Sequence, residues 1–461
     1  MFHVKHKTFI ERMFMANSQT IYALSSGSLP SAIAVVRISG SLTKKTLVLL
    51  AGKVPKPRKL TLMELKSKNK EIIDVSLVCF FPKTESITGE DLVELHLHGS
   101  VAVLDEIYLF LASIKDLRPA EPGEFTRRSL INGKMGLTQV EGLADLIAAE
   151  TKEQRIQSLR QLNGELSDKY LKWRKGLIET RAKIEALLDF SDEIDVNQNV
   201  EILSLERNIY NLIKNIDQDL IIGRAGEKLR SGLKIALIGA PNVGKSSLIN
   251  ILLKEDRAIV SPQAGTTRDI IEARLNLEGV PVTIYDTAGI RKTKNEIEQE
   301  GVQRSQKTAN TADIIVLIRS AEENIISDKI DFINSEGAKV IKIFNKIDLI
   351  KDKRPISLGG LAVSCKTKQG IESLLEALGK EAKKLTSFSD RAIGPNRIRH
   401  INHLRETKES LEMAIIELKV YKIEVAADFI RSASVSLGRI IGAVDIEDVL
   451  DELFLGFCIG K

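Results

Sequence analysis

Residues Leu233–Leu253 read LKIALIGAPNVGKSSLINILL. An apolar run of strand length meets a glycine-rich turn, and a helical apolar pattern begins directly after it. The turn, Gly239 to Ser246, fits the phosphate-binding pattern G-x-x-x-x-G-K-[ST] between a strand and a helix, where its mechanism needs it. The glycines let backbone N–H groups turn inward around phosphate oxygens. Lys245 supplies charge at the β and γ phosphates, and the Ser246 hydroxyl is a Mg²⁺ ligand. The flanking strand and helix weigh against a plain glycine-rich turn.

Outward from this loop, to about residue 384, short apolar strands alternate with helical stretches: VTIYDTAG, DIIVLI, KVIKIFNK and LAVSC. Such βα alternation implies a parallel sheet. NKID, carrying Asn345, Lys346 and Asp348, follows KVIKIF. An aspartate there accepts the ring N–H and amino hydrogens of guanine, which adenine does not offer in that place. SCK (Ser364, Cys365, Lys366) ends the next strand and closes over the base. DTAG (Asp286, Thr287, Ala288, Gly289) supplies a Mg²⁺-water contact and a glycine for the γ-phosphate. AGTTRD lies between, where a switch loop with a Mg²⁺-ligating threonine belongs. The expected nucleotide contacts are Asn242, Val243, Gly244, Lys245, Ser246 and Ser247, then Ser261, Pro262, Gln263, Ala264, Gly265, Thr266 and Thr267, then the DTAG, NKID and SCK residues. Four signals in this order predict a GTPase.

Two positions are unusual. Ile290 stands after DTAG where many small GTPases place the glutamine that orients the attacking water. Other groups must then orient the water and offset transition-state charge. Asn242 lies inside the phosphate loop, where its amide either caps the loop or ligates a monovalent cation in the place of an arginine finger.

The flanks have a different character. Residues 20–130 read as mixed α/β, with AIAVVRIS, DVSLVCFF and LVELHLH as strands and KKTLVLLAGKVPKPRKL as a helix running into a basic loop. From Thr138 to Leu188 apolar residues recur at helical spacing without proline, which predicts long bundle helices. Helical periodicity returns after residue 390. The expected fold is multidomain: an N-terminal α/β domain over 18–133, a helical domain in two parts (134–226 and 385–461), and a phosphate-loop domain with a mostly parallel sheet inserted over 227–384. Residues 1–17 read as a leader outside the fold. Met15 is a possible true start, and a mitochondrial address is the alternative reading of the leader.

The 461 residues carry a formal net charge of +5, too mild to demand nucleic acid yet open to a local basic patch. No apolar run approaches the ~18 residues of a membrane span. Three scattered cysteines, Cys79, Cys365 and Cys458, do not make a disulfide framework and suit a reducing compartment. Cys79 and Cys365 read as packed strand residues. His96 and His98 share one face of a strand, and without a third ligand nearby they read as polar strand residues. The basic stretch from Lys53 to Lys70 is either a solvated loop or an RNA contact. The chain ends FLGFCIGK. Gly460 and Lys461 do not suit a prenylation signal, so Cys458 is either a buried packing residue or a reactive thiol.

Taken together, GAPNVGKSSLIN, AGTTRD, VVRISG, TGEDLVELHLHG, PGEFTRRSLINGKMGLTQVEG and terminal CIGK resemble the MnmE (TrmE) family of tRNA wobble-uridine modification GTPases, over residues 18 to 461. The resemblance implies a cytoplasmic homodimer, paired through a tetrahydrofolate-binding-like N-terminal domain. It implies a heterotetramer with the flavoprotein MnmG (GidA), which brings FAD and NADH. It implies a 5-formyl- or methylene-tetrahydrofolate donor, tRNA as substrate, and carboxymethylaminomethylation of the wobble uridine at C5. Carried over by motif, Arg37, Glu94, Lys134 and Lys461 contact the folate. Asn242, Ser261, Gln263 and Thr266 bind K⁺, and Ser246 and Thr267 bind Mg²⁺. Glu298 acts on the hydrolytic water, Lys245 on the phosphates, and Cys458 lies in the modification site. The alternative is a GTP-controlled switch in ribosome or RNA assembly, which would need neither the folate residues nor Cys458 with Lys461.

Overall fold

The computed structural model describes residues 19–189, 197–255, 257–259, 272–286, 311–322, 338–350, 359–387, 393–444, 450, 453–454, 456–457 and 459–460. The chain divides into two compact units: residues 1–144, 162–171 and 438–461 in the first, and 145–161 and 172–437 in the second.

The first unit is built on β1 (Thr20–Leu24), β2 (Ser31–Ser39), α1 (Thr43–Ala51), β3 (Thr61–Lys66), β4 (Ile72–Phe81), β5 (Leu92–Gly99), α2 (Val101–Ala112), β6 (Leu117–Pro119) and α3 (Glu124–Ile131). Its sheet has the order β3-β4-β5-β2-β1-β6. All pairs are antiparallel except β1 with β6. The period-two pattern decides which face is covered. Ala34, Val36 and Ile38 of β2 and Val93, Leu95 and Leu97 of β5 form one core with Leu47 and Leu50 of α1 and Ile107 and Leu111 of α2. Arg37 and Glu94, at alternate positions, face the other way and are only partly buried.

Helices follow: α4 (Leu137–Ala148), α5 (Lys152–Leu162), α6 (Glu165–Asp189) and α7 (Asn197–Ser231). The last of these has 35 residues and leads into β7 (Leu233–Ile238) through Gly232 (φ 79°). The second unit then continues with α8 (Lys245–Leu252), β8 (Glu272–Leu277), β9 (Val280–Asp286), β10 (Ile314–Ser320), β11 (Lys339–Asn345), β12 (Leu361–Ala362), α9 (Ile371–Thr386), α10 (Ile398–Lys419) and α11 (Ile423–Ile441). Its sheet runs β12-β11-β10-β7-β9-β8. Every pairing is parallel except the β8–β9 hairpin. That hairpin turns through Glu278 (φ 53°) and Gly279 (φ 87°), the two left-handed positions of a tight turn whose twist matches the strands. Near-continuous apolar strands, such as Ile314–Ile318, are buried as a parallel sheet requires. Helix α7 packs along α10 and α9, and Lys408 of α10 reaches Asp217 of α7 at 2.7 Å.

LAVSC differs from the expectation of a full strand. Only Leu361 and Ala362 pair with β11. Val363 N–H makes one more bond, to the Phe344 carbonyl, and then the Ser364 N–H turns to Gln369. Cys365 therefore lies in a turn and not in a strand.

Candidate functional site

Strand β7 delivers the chain into the glycine loop at a point of close approach. A Cβ at Gly239 would lie 2.3 Å from the Ile318 carbonyl oxygen of β10, so only glycine fits. Asn242 (φ 64°) and Gly244 (φ 103°) are left-handed. They bend the backbone into a concave loop of the kind that gathers N–H groups around an anion. The loop ends on the first turn of α8, where the helix dipole adds positive potential. Lys245 is nine-tenths buried, and its Nζ donates to the carbonyls of Gly239 (2.7 Å) and Ala240 (2.9 Å). The ammonium is thus held over the loop's own mouth, where phosphate oxygens would meet it. Val243 is buried in the sheet core, and Ser246 and Ser247 stand in the first turn of α8.

Around NKID, Asn345 does structural work that its motif did not announce. Its Nδ2 donates to the Val243 carbonyl at 2.7 Å, and its Oδ1 accepts from the Cys365 N–H at 3.0 Å. The side chain therefore ties the phosphate loop to the Cys365 turn. Gly244 must be glycine for this, because a Cβ there would lie 2.2 Å from Asn345 Nδ2. Asp348 is oriented by Ser364, whose hydroxyl donates to Oδ1 at 2.6 Å and itself accepts from the Thr367 N–H. Lys346 is left-handed (φ 67°), which turns the chain between Asn345 and Asp348. Burial pushes the Cys365 thiol above its ordinary range, against a lowering hydrogen bond from Asn345 and with a further rise from Asp348, so the thiol stays protonated at neutral pH. Lys366 follows in the same turn. Asp286 ends β9, paired with Leu237. Thr287, Ala288, Gly289, Ile290, the Ser261–Thr267 stretch (Ser261, Pro262, Gln263, Ala264, Gly265, Thr266, Thr267) and Glu298 lie outside the described residues.

A second cluster lies in the first unit. Arg37 Nε donates to Glu94 Oε1 at 2.8 Å, with the two side chains 26% and 19% exposed, so the pair can be reached by a ligand. His96 Nε2 stands 3.6 Å from the other Glu94 oxygen. His98 Nδ1 lies 2.7 Å from Asp74. Each histidine therefore has a carboxylate neighbour. Cys79 is buried opposite Glu94 in the next strand. Lys134 is occupied elsewhere and donates to the Thr84 carbonyl at 2.7 Å.

PGEFTRR carries charges whose partners come in part from outside the motif. Arg128, 1% exposed, is the largest fully buried side chain among the described residues. It reaches Glu90 (2.9 Å) and Glu124 (2.9 Å). Glu124 is also gripped by both terminal nitrogens of Arg118 at 2.8 Å. Burial would raise the Glu124 pKa, but the Arg118 hydrogen bonds, the Glu121 N–H and Arg128 outweigh it and hold the carboxyl below the usual range. The i,i+4 spacing of Glu124 and Arg128 was the available signal.

This cluster fixes the loop on which the chain's end is seated. Pro122 bridges to Ile459, and Gly123 lies under Phe454 and Phe457, where a Cβ would come within 2.7 Å of Phe454. Those rings pack with Leu137 and Val140 of α4. Gly460 (φ 95°) leaves no room either: a Cβ would stand 2.0 Å from the Leu24 carbonyl. Cys458 and Lys461 themselves lie outside the described residues.

Residues 20–134 match the family described as GTP-binding protein TrmE N-terminus, and residues 137–458 match the MnmE helical domain. The chain belongs to the MnmE family. Curated MnmE relatives agree end to end. The protein named tRNA modification GTPase MnmE from Rhodopseudomonas palustris (strain ATCC BAA-98 / CGA009) is 43% identical over 450 residues, covering 96% of this chain and 99% of that protein. The MnmE of Bradyrhizobium sp. (strain ORS 278) matches equally, with the same identity and coverage. That of Rhizobium meliloti (strain 1021) is 42% identical over 447 residues, covering 97% of this chain and all of that protein.

Proposed function

We propose that this MnmE-family GTPase modifies tRNA. In this reading it acts with an FAD-dependent partner of the MnmG (GidA) type and NADH to place a carboxymethylaminomethyl group on C5 of the wobble uridine, using a 5-formyl- or methylene-tetrahydrofolate as one-carbon donor. The observation that carries the nucleotide half is the Asn345 bridge beside the Asp348–Ser364 pair. It ties the phosphate loop to the Cys365 turn, whose Ser364 holds the aspartate proposed for the guanine edge. The close approaches at Gly239 and Gly244 shape the cradle, and buried Lys245 supplies counter-charge for the phosphates.

Ser246 with Thr267 would hold Mg²⁺, and Asn242 with Ser261, Gln263 and Thr266 would hold K⁺. All six offer hard oxygen donors, which suit both cations. With Ile290 unable to direct water, Glu298 orients it. Mg²⁺ and K⁺ supply charge stabilisation at the phosphates when bound. On the modification side, Arg37 and Glu94 form a reachable donor–acceptor pair for folate, and Lys134, now resting on the Thr84 carbonyl, and Lys461 are assigned to the folate by motif. Cys458, carried between the seated Phe457 and Ile459, acts in the modification step, with Lys461 favouring its thiolate. The protein works in the cytoplasm as a homodimer that assembles with its flavoprotein into a heterotetramer. The switch reading has no use for the Arg37–Glu94 pair or for a docked terminal segment.

Nucleoside mass spectrometry of tRNA from cells lacking the protein tests the reading. Wobble uridines without the carboxymethylaminomethyl group are expected. An unchanged modification profile would overturn it.

A further inference from the structure

The formal net charge of the whole chain is +5. Residues 53–71 contain seven Lys or Arg and two Glu, also a net +5, so the rest of the chain is neutral overall. This excess is held on one edge of the first unit. Strand β3 is the edge of its sheet. Lys53, Lys56 and Lys59 lie in the loop that enters it, and Lys68 and Lys70 in the turn that leaves it. Six residues of strand separate the two groups, roughly 20 Å at about 3.3 Å per residue.

All five lysines are exposed, and among the described residues none of them forms an ion pair within the stretch. Of its acidic neighbours, Glu64 is used by Lys66 at 2.9 Å and Glu85 by Arg58 at 3.4 Å, and exposed Glu71 follows Lys70 in the chain. The two loops are built rather than loose. Pro55 and Pro57 restrict the first, and left-handed Arg58 (φ 58°) donates its N–H to the Phe80 carbonyl at 2.8 Å. In the second, Ser67 N–H bonds Glu71 at 2.8 Å and left-handed Lys70 (φ 65°) bonds Ser67 at 3.0 Å. Lysines on an edge strand commonly serve to block edge pairing. Here the exposed residues in the middle of β3 are Leu62 and Glu64, and the lysines sit at its two ends, so edge protection does not account for them.

We infer that this β3 edge is a docking surface for the phosphate backbone of the tRNA substrate, with Lys53, Lys56 and Lys59 gripping one stretch of backbone and Lys68 and Lys70 another. The inference rests on the tRNA reading above. No aromatic side chain interleaves the lysines, so the contact is with phosphates and independent of base sequence.

The test uses the full-length protein with all five lysines changed to glutamine, beside two partial variants, one for each end of β3. Affinity for unmodified tRNA is measured by fluorescence anisotropy across a salt series, with GTP turnover as the control. Each lost phosphate contact lowers the log–log salt slope by about 0.7 to 0.9. The five-fold variant should therefore lose roughly 3.5 to 4.5 from its slope and at least about tenfold in affinity at moderate salt, with turnover unchanged. The partial variants should divide the loss. Unchanged affinity and slope would overturn the inference. It would equally be overturned if tRNA binding held while binding to phosphatidylglycerol vesicles or co-elution with the flavoprotein was lost. Wobble-uridine analysis of a strain lacking the protein separates the two levels: absent modification with normal tRNA binding by the variant sinks the surface alone, and intact modification sinks the tRNA reading itself.

Discussion

In the proposed reading Asp348 carries guanine selectivity through one carboxylate, whose orientation comes from Ser364. Asp348→Asn exchanges an acceptor for a donor opposite the ring N–H. It should weaken GTP by about 2–4 kcal/mol, since two charge-assisted bonds are lost, and favour xanthosine triphosphate. Competition binding with the two nucleotides checks this, and full retention of GTP selectivity would remove Asp348 from the base site. Asn242 makes a second residue-scale prediction. GTP hydrolysis should be faster in K⁺ than in Na⁺ at equal ionic strength, and Asn242→Ala should erase the difference. Phosphate release in the two salts is the measurement, and equal wild-type rates would end the cation reading. Both proposals start from motif spacing in the sequence, and the two measurements are what test them. Asn345 was legible only in part. Its place in NKID pointed to the base, but its bond to Val243 joins residues 102 apart in sequence, and no local pattern reports such a distance.

At the scale of elements, α3 and the loop before it behave as one piece. Glu124 has a lower pKa in the folded chain than in the unfolded one, so its stabilisation is complete above about pH 4.3, the free carboxylate value. It disappears as pH falls through the lower folded value. Glu124→Gln should cost about 3–5 kcal/mol, because Arg118 and buried Arg128 lose their charged partner. It should also flatten the acid limb of the stability curve, which thermal melts between pH 3 and 7 would show. An unchanged acid limb would mean that Glu124 does not titrate on unfolding. Gly123→Ala should cost about 1–3 kcal/mol through overpacking against Phe454 and should disturb tRNA modification more than GTP turnover. The alternating strands AIAVVRIS and LVELHLH were readable from period two alone. The charge cluster was not: EFTRR looks like an ordinary solvated helix start until the fold brings Glu90 and Arg118 onto it.

Across the whole molecule, two chemistries share one chain and should be separable. Cys458→Ser keeps the side chain's shape and removes only the thiolate. The variant should fold, dimerise and hydrolyse GTP at close to the normal rate, yet leave wobble uridines unmodified when reconstituted with flavoprotein, folate, NADH and GTP. Phosphate release and nucleoside mass spectrometry on the same preparation decide it, and normal modification would reduce Cys458 to packing. The fold class was legible because βα alternation and long helical periodicity are signals spread over many residues. LAVSC was overread because one apolar run cannot tell a strand from a strand that turns away after two pairs. One last consequence concerns α7. Its 35 residues make a rod roughly 52 Å long at about 1.5 Å per residue. Its final turn is clamped to the nucleotide-binding sheet by Lys228 on Asp313 at 2.8 Å, and Asp313 also accepts from the Lys234 N–H of β7. The rod is thus a lever arm with its fulcrum at the edge of the sheet where β7 and β10 begin, one strand length from the phosphate loop. Each degree of tilt in that sheet moves its far end by roughly 0.9 Å for a rod of this length, so an angular change too small to disturb the pocket becomes a displacement a distant label can register.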